Sequence, residues 1–339
     1  MTAAEGAARL RVLTVTNMYP TPEDPAYGAF VATEVAALAR AGADVRVEFI
    51  NGRRSRAAYL AAPLRINRVV RSGGCDVVHA HYGLTGFVSL FQRLPLVVTF
   101  HGDDLLGTAN GRGGVTLKSR IIRRLGHAAA RRADALICQS DAMRQALPRA
   151  ADRARAHVIP MGVDERFTPG DRAAARARLG FAAAERLVLF PSTPAEPRKR
   201  LDLAQAAVSL LAGDGGPVRL WVVTRVPHDR LPDYYRAADC LIVTSDWEGG
   251  PIVVKEALCC DVPVVSVDVG DVRPWLELTP GCRLVARDPA AIAAGLQEVL
   301  SGPRRVDGSA VRREVSAERV AARVMGVYRE AIARREGGG

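Results

Sequence analysis

Long apolar runs are absent from this 339-residue sequence, although 48% of its residues are hydrophobic. A helix that spans a bilayer needs about 20 mostly apolar residues, and no segment of the chain approaches that length. The beginning of the chain also lacks the apolar core and cleavage site of a secretory signal. These absences predict a soluble, cytoplasmic protein, and they leave peripheral association with the inner membrane face open.

Cysteines in paired spacing are missing as well, which argues against a zinc site or a disulfide framework. The six cysteines are scattered through apolar stretches, as small core residues in a reducing compartment are. Aromatic residues make up only 5% of the chain and rarely stand between the basic ones. Because single-stranded nucleic acids are bound by aromatic stacking inside basic grooves, the sequence predicts no nucleic-acid partner.

Acidic residues are fewer than basic ones, and the formal net charge is +11. Most of the excess lies in the first half of the chain. Two interpretations stay open, a solvated basic face or attraction to an anionic membrane surface or lipid-linked acceptor. The clustered cations are Arg53, Arg54, Arg56, Arg65, Arg68, Arg71, Lys118, Arg120, Arg123, Arg124, Arg131 and Arg132.

Short apolar strands alternate with helical segments along the chain. In the first half, strands are predicted at 11–17, 45–50, 77–79, 96–100 and 135–138, with a helix at 30–40. In the second half, strands are predicted at 186–190, 218–223, 240–244 and 264–267, with helices at 201–211 and 252–260. Alternation of this kind predicts α/β domains with parallel, doubly wound sheets.

The chain is long enough for two domains of ordinary size. The segment 159–170 is rich in proline and glycine, so we place the hinge there. The sequence predicts one domain at 1–165 and a second at 166–310. The tail at 311–339 has helical spacing and is predicted to pack back across both domains.

The segment 244–260 carries the most specific pattern, a strand end followed by a Gly-Gly-Pro loop and a helix. Free backbone N–H groups at a helix N-terminus suit a diphosphate. Glu256, about one turn into this helix, could accept hydrogen bonds from a ribose diol. Glu248 precedes it by eight positions.

With these features the chain resembles the retaining glycosyltransferases of family 4, which have the GT-B fold and an E-x7-E signature. Supporting segments stand in the same order, at 99–104, 139–140, 159–164, 197–202 and 248–256. The resemblance covers nearly the whole chain. It implies two Rossmann-like, doubly wound domains that face each other across a cleft. The domain at 1–165 would be the acceptor-side domain, and the domain at 166–310 would bind the nucleotide-sugar.

The resemblance also implies a role for each matching residue. Glu256 would hold the donor ribose, and Glu248 would approach the transferred sugar. Lys199 would neutralise the donor phosphates, and His101 would face the donor sugar. The other residues implied at the donor site are Gly28, Arg198, Arg200, Gly249, Gly250 and Pro251.

One departure concerns the Gly-Arg pair that usually follows the first strand of the second domain. Here the stretch 190–197 reads Phe-Pro-Ser-Thr-Pro-Ala-Glu-Pro, without the arginine that binds the donor phosphate. Either Arg198 or Arg200 takes its place, or phosphate binding is weakened.

The resemblance implies a metal-independent hexosyltransferase whose co-substrate is a nucleotide-sugar, with a UDP-sugar preferred and no further cofactor. The acceptor would be a glycan, a lipid-linked molecule or a small molecule, within cell-surface polysaccharide or glycolipid biosynthesis. Two alternatives stay open: an inert, sugar-nucleotide-binding scaffold subunit, and an epimerase or phosphorylase with the same architecture.

Two further patterns are weaker. His79 and His81 stand two positions apart at a strand end, where packing or acceptor lining is commoner than metal binding, so no metal site is predicted. The glycine-rich stretch 111–114 imitates a phosphate loop, but is better interpreted as a flexible acceptor-side loop.

Overall fold

The computed structural model describes residues 9–107, 116–211 and 217–337. Within them the chain forms two compact units. The first unit contains residues 9–20, 27–107, 116–162 and 317–337, and the second contains residues 21–26, 163–211 and 217–316. The predicted acceptor-side loop at 111–114 lies outside the described residues.

The first unit is built on a sheet of six parallel strands. These are β1 (Arg11–Thr16), β2 (Asp44–Phe49), β3 (Val77–His81), β4 (Leu96–Phe100), β5 (Ala135–Cys138) and β6 (Ala156–Val158). Their spatial order is β2-β1-β3-β4-β5-β6. The chain changes direction across the sheet between β1 and β3, and ligands of such sheets bind at the carboxyl ends of strands beside this switch point.

Helices of the first unit cover both faces of this sheet with apolar side chains. Besides the last helix of the chain, which is described below, they are α1 (Ala29–Arg40), α2 (Ala58–Arg71), α3 (Gly83–Val88), α4 (Leu117–Arg132), α5 (Asp141–Gln145) and α6 (Ala150–Ala154). Side-chain caps fix two of the starts: Thr116 accepts from Ser119 N (3.2 Å) before α4, and Ser140 accepts from Met143 N (3.2 Å) before α5.

The second unit has a parallel sheet of five strands. Its strands are β7 (Arg186–Phe190), β8 (Val218–Val222), β9 (Cys240–Val243), β10 (Val264–Val267) and β11 (Arg283–Val285). Their spatial order is β11-β10-β9-β7-β8, which puts the switch point between β7 and β9. The loops that follow these two strands therefore meet at the carboxyl ends of the strands.

The helices of the second unit are α7 (Arg172–Leu179), α8 (Leu201–Ser209), α9 (Leu231–Ala237), α10 (Ile252–Cys259), α11 (Val272–Glu277), α12 (Pro289–Ser301) and α13 (Ser309–Val315). One buried side chain ties α7 to the sheet. Arg176 donates to Asp239 Oδ2 at 2.7 Å, and Asp239 Oδ2 also accepts from Leu187 N in β7 at 2.8 Å. Further acceptors of Arg176 are the carbonyl oxygens of Ala182, Ala183, Glu185 and Ala237.

The helical tail is divided between the two units. The last helix, α14 (Ala317–Glu336), belongs to the first unit, where Val320, Val324 and Tyr328 join the apolar core against α1. The helix before it, α13, ends at Val315 in the second unit. The sequence predicts one continuous helical tail from 311, and the structure corrects this to two helices separated at Ser316. Packing of the tail across both domains stays a prediction.

No helix in the described ranges 9–107, 116–211 and 217–337 has the length and apolar character that a bilayer crossing requires.

Candidate active site

The segment after β7 makes a 3-10 turn at Pro197–Lys199, which contains Arg198 and Lys199 and is followed by Arg200. Its backbone is held at the carboxyl end of β9. Thr244 Oγ1 donates to the carbonyl oxygens of Lys199 (2.8 Å) and Arg200 (2.9 Å). Asp246 N donates to the carbonyl oxygen of Arg198 at 2.8 Å. These bonds place the three basic residues at the switch point of the second sheet.

Glu248 is the centre of an ion cluster in the second unit. Its Oε1 accepts from Lys199 Nζ (2.6 Å) and Ser245 Oγ (2.8 Å), and its Oε2 accepts from Arg198 Nη1 (2.9 Å). Burial on its own raises the pKa of this carboxyl group, but the charges of Lys199 and Arg198 and the hydrogen bonds from Lys199 and Ser245 together outweigh burial, and the pKa is lowered. The structure thus brings together three residues that the sequence analysis assigned separately.

Arg200 turns to different carboxylates. It donates to Asp202 from Nε (3.0 Å) and Nη2 (2.8 Å), and to Asp246 from Nη1 (3.2 Å). The hydrogen bond with Asp202 is the largest cause that raises the pKa of this guanidinium. Arg198, rather than Arg200, is therefore the arginine that joins Lys199 at Glu248.

The Gly249-Gly250-Pro251 loop is buried and leads into α10, for which Pro251 is the N-terminal cap residue. The first N–H groups of a helix have no partner inside the helix, and their partial positive charge suits an anion. Gly270, with φ of 60°, packs against this loop. A Cβ at Gly270 would lie 3.0 Å from Pro251 Cδ and 3.3 Å from Glu248 O. The sequence analysis missed this residue, because the contact joins two loops distant in the chain.

Glu256 is a buried residue of α10 with aromatic neighbours. Its Oε2 accepts a hydrogen bond from Tyr235 OH at 2.6 Å, and its Oε1 lies 3.6 Å from His228 Nε2. Phe167 packs against both rings, with centroids 5.7 Å and 5.2 Å away. Burial raises the pKa of Tyr235 well above its usual range, so this hydroxyl is a neutral donor. Sequence reasoning missed Tyr235, which no local pattern links to Glu256.

In the first unit, the backbone around His101 is held by Asp104. The Asp104 carboxylate accepts from His101 N (3.1 Å), Gly102 N (3.0 Å) and Gly83 N (2.8 Å). It therefore ties the segment after β4 to the segment after β3. Burial is the largest cause that raises the pKa of Asp104 to about 6, against the effect of the three hydrogen bonds.

The raised pKa of Asp104 predicts a pH-dependent stability. An acid with a higher pKa in the folded state keeps its proton longer there, so its contribution to stability decreases from about pH 4 to about pH 6. We therefore expect Asp104→Asn, which cannot ionise, to gain up to about 3 kcal/mol relative to the unchanged protein between pH 4 and pH 7. Calorimetric unfolding of both proteins across this range measures the difference in their free energies of unfolding. If the unchanged protein instead gained stability relative to Asp104→Asn as the pH rises, folding would lower the pKa of Asp104.

His101 is joined to neighbouring side chains through both ring nitrogens. Its Nδ1 lies 2.6 Å from Gln139 Nε2, and its Nε2 lies 3.2 Å from His81 Nδ1. On the other side of His81, Nε2 lies 3.3 Å from Glu34 Oε1. Burial, reinforced by His81, holds the pKa of His101 well below its usual range, so its ring is neutral.

His79 lies beside this group and is already satisfied. Its Nε2 lies 2.7 Å from Thr99 Oγ1, and its Nδ1 lies 2.7 Å from Tyr328 OH. Ligand atoms of Glu34, His79 and His81 lie within 4.8 Å of one another, which is close enough for a metal ion. Because both nitrogens of His79 have hydrogen-bonding partners, the geometry is that of a packed polar cluster.

Gly28 is the residue before α1 and has φ of 71°. A Cβ at Gly28 would lie 2.3 Å from the carbonyl carbon of Met18, so a larger residue does not fit. Gly28 and His101 belong to the first unit, and the other predicted site residues belong to the second. The predicted contacts of Gly28 and His101 with the donor stay predictions.

The first unit also contains a cavity of about 630 Å³ whose lining is mostly apolar and aromatic. Tyr82 contributes to the lining and has φ of 92°, a strained value for a residue other than glycine. The Arg53 guanidinium lies 3.5 Å from the centre of the Tyr27 ring. The remaining lining residues are Asn17, Gly52, Arg56, Tyr59, Leu84, Leu117, Lys118, Ile121, Ile122 and Leu125.

Comparisons with known proteins agree with this architecture. Residues 2–167 match the family described as Glycosyltransferase Family 4, and residues 215–314 match Glycosyl transferases group 1. A D-inositol 3-phosphate glycosyltransferase from Geodermatophilus obscurus is 33% identical over 303 residues, which cover 77% of this chain and 67% of that protein. The chain belongs to glycosyltransferase family 4. It spans about half (51%) of the identically named relative from Mycobacterium tuberculosis.

Solved structures show the fold of this family 4 member. Sucrose-phosphate synthase from Thermosynechococcus elongatus has a TM-score of 0.77 at 21% identity and covers 96% of this chain and 100% of its own. HepE from Anabaena, in complex with UDP, has a TM-score of 0.67 at 18% identity, with 94% and 99% covered. The two parallel α/β units and these likenesses establish the GT-B, Rossmann-like fold.

Proposed function

We propose that this protein is a retaining glycosyltransferase that moves a hexose from a nucleoside diphosphate sugar to an acceptor without a divalent metal. The cluster of Lys199, Arg198 and Glu248 beside the start of α10 carries the proposal. Departure of the nucleoside diphosphate builds negative charge on its phosphates as the sugar becomes oxocarbenium-like. Fixed cations and backbone N–H groups stabilise that charge.

The same cluster can hold the carboxylate and the phosphates together. A lysine ammonium has three N–H donors and an arginine guanidinium has five. Lys199 uses one of its three donors in the hydrogen bond to Glu248. We propose that its other donors reach a diphosphate at the N-terminus of α10, and that the guanidinium of Arg198 adds its positive charge from beside Glu248. In this arrangement Glu248 positions the cations, and we propose that it also meets a hydroxyl of the transferred sugar.

Glu256 is proposed to bind the donor ribose. Tyr235 occupies Oε2, which leaves Oε1 on the side of His228 for a ribose hydroxyl. The aromatic surroundings of Phe167, His228 and Tyr235 suit a nucleoside. The crystal structure of HepE in complex with UDP supports a UDP-sugar as the donor.

The acceptor is proposed to carry a phosphate group. The relatives are named for D-inositol 3-phosphate, and the cavity of the first unit has Arg53, Arg56 and Lys118 in its lining. Charge-assisted hydrogen bonds from such cations suit a phosphate. The apolar part of the cavity lining also suits a glycolipid or lipid-linked precursor of a cell-surface polysaccharide, including one at the inner membrane face. An inositol phosphate and a lipid phosphate compared as acceptors in one transfer assay would separate these sources.

A ligand screen with Glu256→Ala tests the donor site. A ligand at 100 times its Kd stabilises the folded state by about 2.7 kcal/mol, so we expect UDP or a UDP-sugar to raise the Tm of the unchanged protein. The shift should be lost in Glu256→Ala and kept in Glu277→Ala, where the replaced carboxylate is exposed on α11. Thermal unfolding with UDP, GDP, ADP and their sugar conjugates measures it.

The same screen, followed by product analysis, separates the remaining alternatives. Donor binding without transfer to any acceptor would favour the inert scaffold subunit. Turnover of the donor without an acceptor, to an epimeric sugar or a sugar phosphate, would favour an epimerase or phosphorylase. No stabilisation by any nucleotide would contradict the proposed donor site.

A further inference from the structure

Four side chains of the first unit form a line in which each polar atom faces the next. Gln139 Nε2 faces His101 Nδ1 at 2.6 Å, and His101 Nε2 faces His81 Nδ1 at 3.2 Å. His81 Nε2 then faces Glu34 Oε1 at 3.3 Å. Across the described part of the chain these last two buried atoms have no hydrogen-bonding partner. His79 Nδ1 lies 3.5 Å from the same Glu34 oxygen.

The carboxylate at the end of the line decides where the protons lie. An ionised carboxylate only accepts hydrogen bonds, so it favours a proton on His81 Nε2. His81 Nδ1 is then an acceptor, and His101 donates to it from Nε2. His101 Nδ1 in turn accepts from the Gln139 amide. The opposite arrangement sets the lone pair of His81 Nε2 against Glu34 Oε1, and two facing acceptors in a buried place are unfavourable.

We propose that Glu34 and His81 are positioning residues that fix the orientation and the tautomer of His101. The ring of Phe30, also from α1, lies beside His101 with centroids 5.1 Å apart and a tilt of 52°, so the imidazole is restrained at both nitrogens and by an aromatic neighbour. His81 is 1% exposed, so bulk water does not compete with this contact. The inference rests on the proposed role of His101 at the donor sugar and assigns two residues that support it.

Steady-state kinetics with Glu34→Gln test this role. The replacement keeps the size of the side chain, but its amide can donate or accept, so it no longer selects one tautomer. We expect kcat to fall about 10- to 100-fold, the size of effect known for the hydrogen-bonding partners that orient metal-binding histidines, with the donor KM nearly unchanged. Glu34→Asp keeps the charge and should retain most of kcat. The matched control is Glu330→Gln, which alters a surface pair with His157 at the same 3.3 Å separation and should have no effect.

Nitrogen NMR of the six histidines gives a readout that does not depend on activity. In the unchanged protein, His81 and His101 should both carry the proton on Nε2. In Glu34→Gln the His81 signal should shift to a mixture of tautomers, while His157 stays unchanged. Because this result holds even if His101 does not act in transfer, failure of the proposed function is distinguishable from failure of this inference.

Two outcomes would overturn the inference. The first is a proton on His81 Nδ1 in the unchanged protein, or identical histidine signals in Glu34→Gln. The second is one equivalent of a divalent metal in the purified protein, detected by elemental analysis and lost in Glu34→Gln. A metal held there would need the lone pair of His81 Nε2, which is the opposite tautomer.

Discussion

Arg198→Ala is expected to lower kcat/KM for sugar transfer about 100- to 1000-fold, the usual effect of removing one fixed group that stabilises developing charge. The side chain donates to Glu248 next to Lys199, at the switch point where the diphosphate is proposed to bind. Without it, Lys199 alone would have to neutralise the phosphates. The variant would also lack an arginine that holds Glu248 in place.

Arg200→Ala is the matched control for this prediction. Arg200 is the next basic residue of the same turn, but its guanidinium is engaged by Asp202 and Asp246. We expect less than about a threefold change in kcat/KM, since its ion pairs are partly exposed and contribute little. Initial rates at subsaturating donor measure both variants. If kcat/KM fell more in Arg200→Ala than in Arg198→Ala, Arg200 and not Arg198 would be the residue that replaces the missing phosphate-binding arginine.

The parallel sheets could be predicted from sequence because their strands are short, apolar and buried. The predicted bounds 96–100, 135–138, 186–190 and 264–267 agree with β4, β5, β7 and β10. All four are central or near-central strands, and apart from Arg186 at the start of β7 their residues are buried, so the apolar run and the strand nearly coincide. The edge strand β8 is only partly buried and was placed one residue too long.

The tail shows where periodicity stops being informative. Helical spacing continues through 311–335, but Val163 N donates to the carbonyl oxygen of Val315 at 2.8 Å, which ends α13 in the second unit. The helix α14 then begins at Ala317 in the first unit. A pattern with a helical period carries no mark of a break that is imposed by a contact more than a hundred positions away.

The residues of the candidate site also differ in whether they could be found from the sequence: those in compact motifs could be found, and their partners from distant segments could not. Glu248, Glu256 and the basic turn at 198–200 stand in compact motifs, so sequence alone singles them out. Their partners do not: Tyr235 reaches Glu256 across 21 positions, and Thr244 reaches Lys199 across 45. Only the fold shows that Arg198 and not Arg200 meets Glu248, because that choice depends on the carboxylates that each arginine encounters.

The largest effect on stability is expected from Arg176→Ala. The side chain is 1% exposed and donates to four carbonyl oxygens as well as to Asp239. Its removal leaves buried acceptors without donors and opens a cavity under α7, although Arg172 still pairs with Asp239 at 2.7 Å. Loss of a buried, hydrogen-bonded charge costs about 3–5 kcal/mol, which lowers Tm by roughly 10 °C in a unit of this size.

Tryptophan fluorescence makes this prediction specific to one unit, since all three tryptophans, Trp221, Trp247 and Trp275, lie in the second unit. The matched control is Arg178→Ala on the same helix, where the replaced guanidinium pairs with Asp233 at the surface. We expect the fluorescence transition of Arg178→Ala to overlay that of the unchanged protein, and that of Arg176→Ala to move far to lower temperature or urea concentration. Equal shifts in the two variants would mean that the carbonyl cluster is satisfied by water once Arg176 is gone, and that α7 is held to the sheet by packing alone.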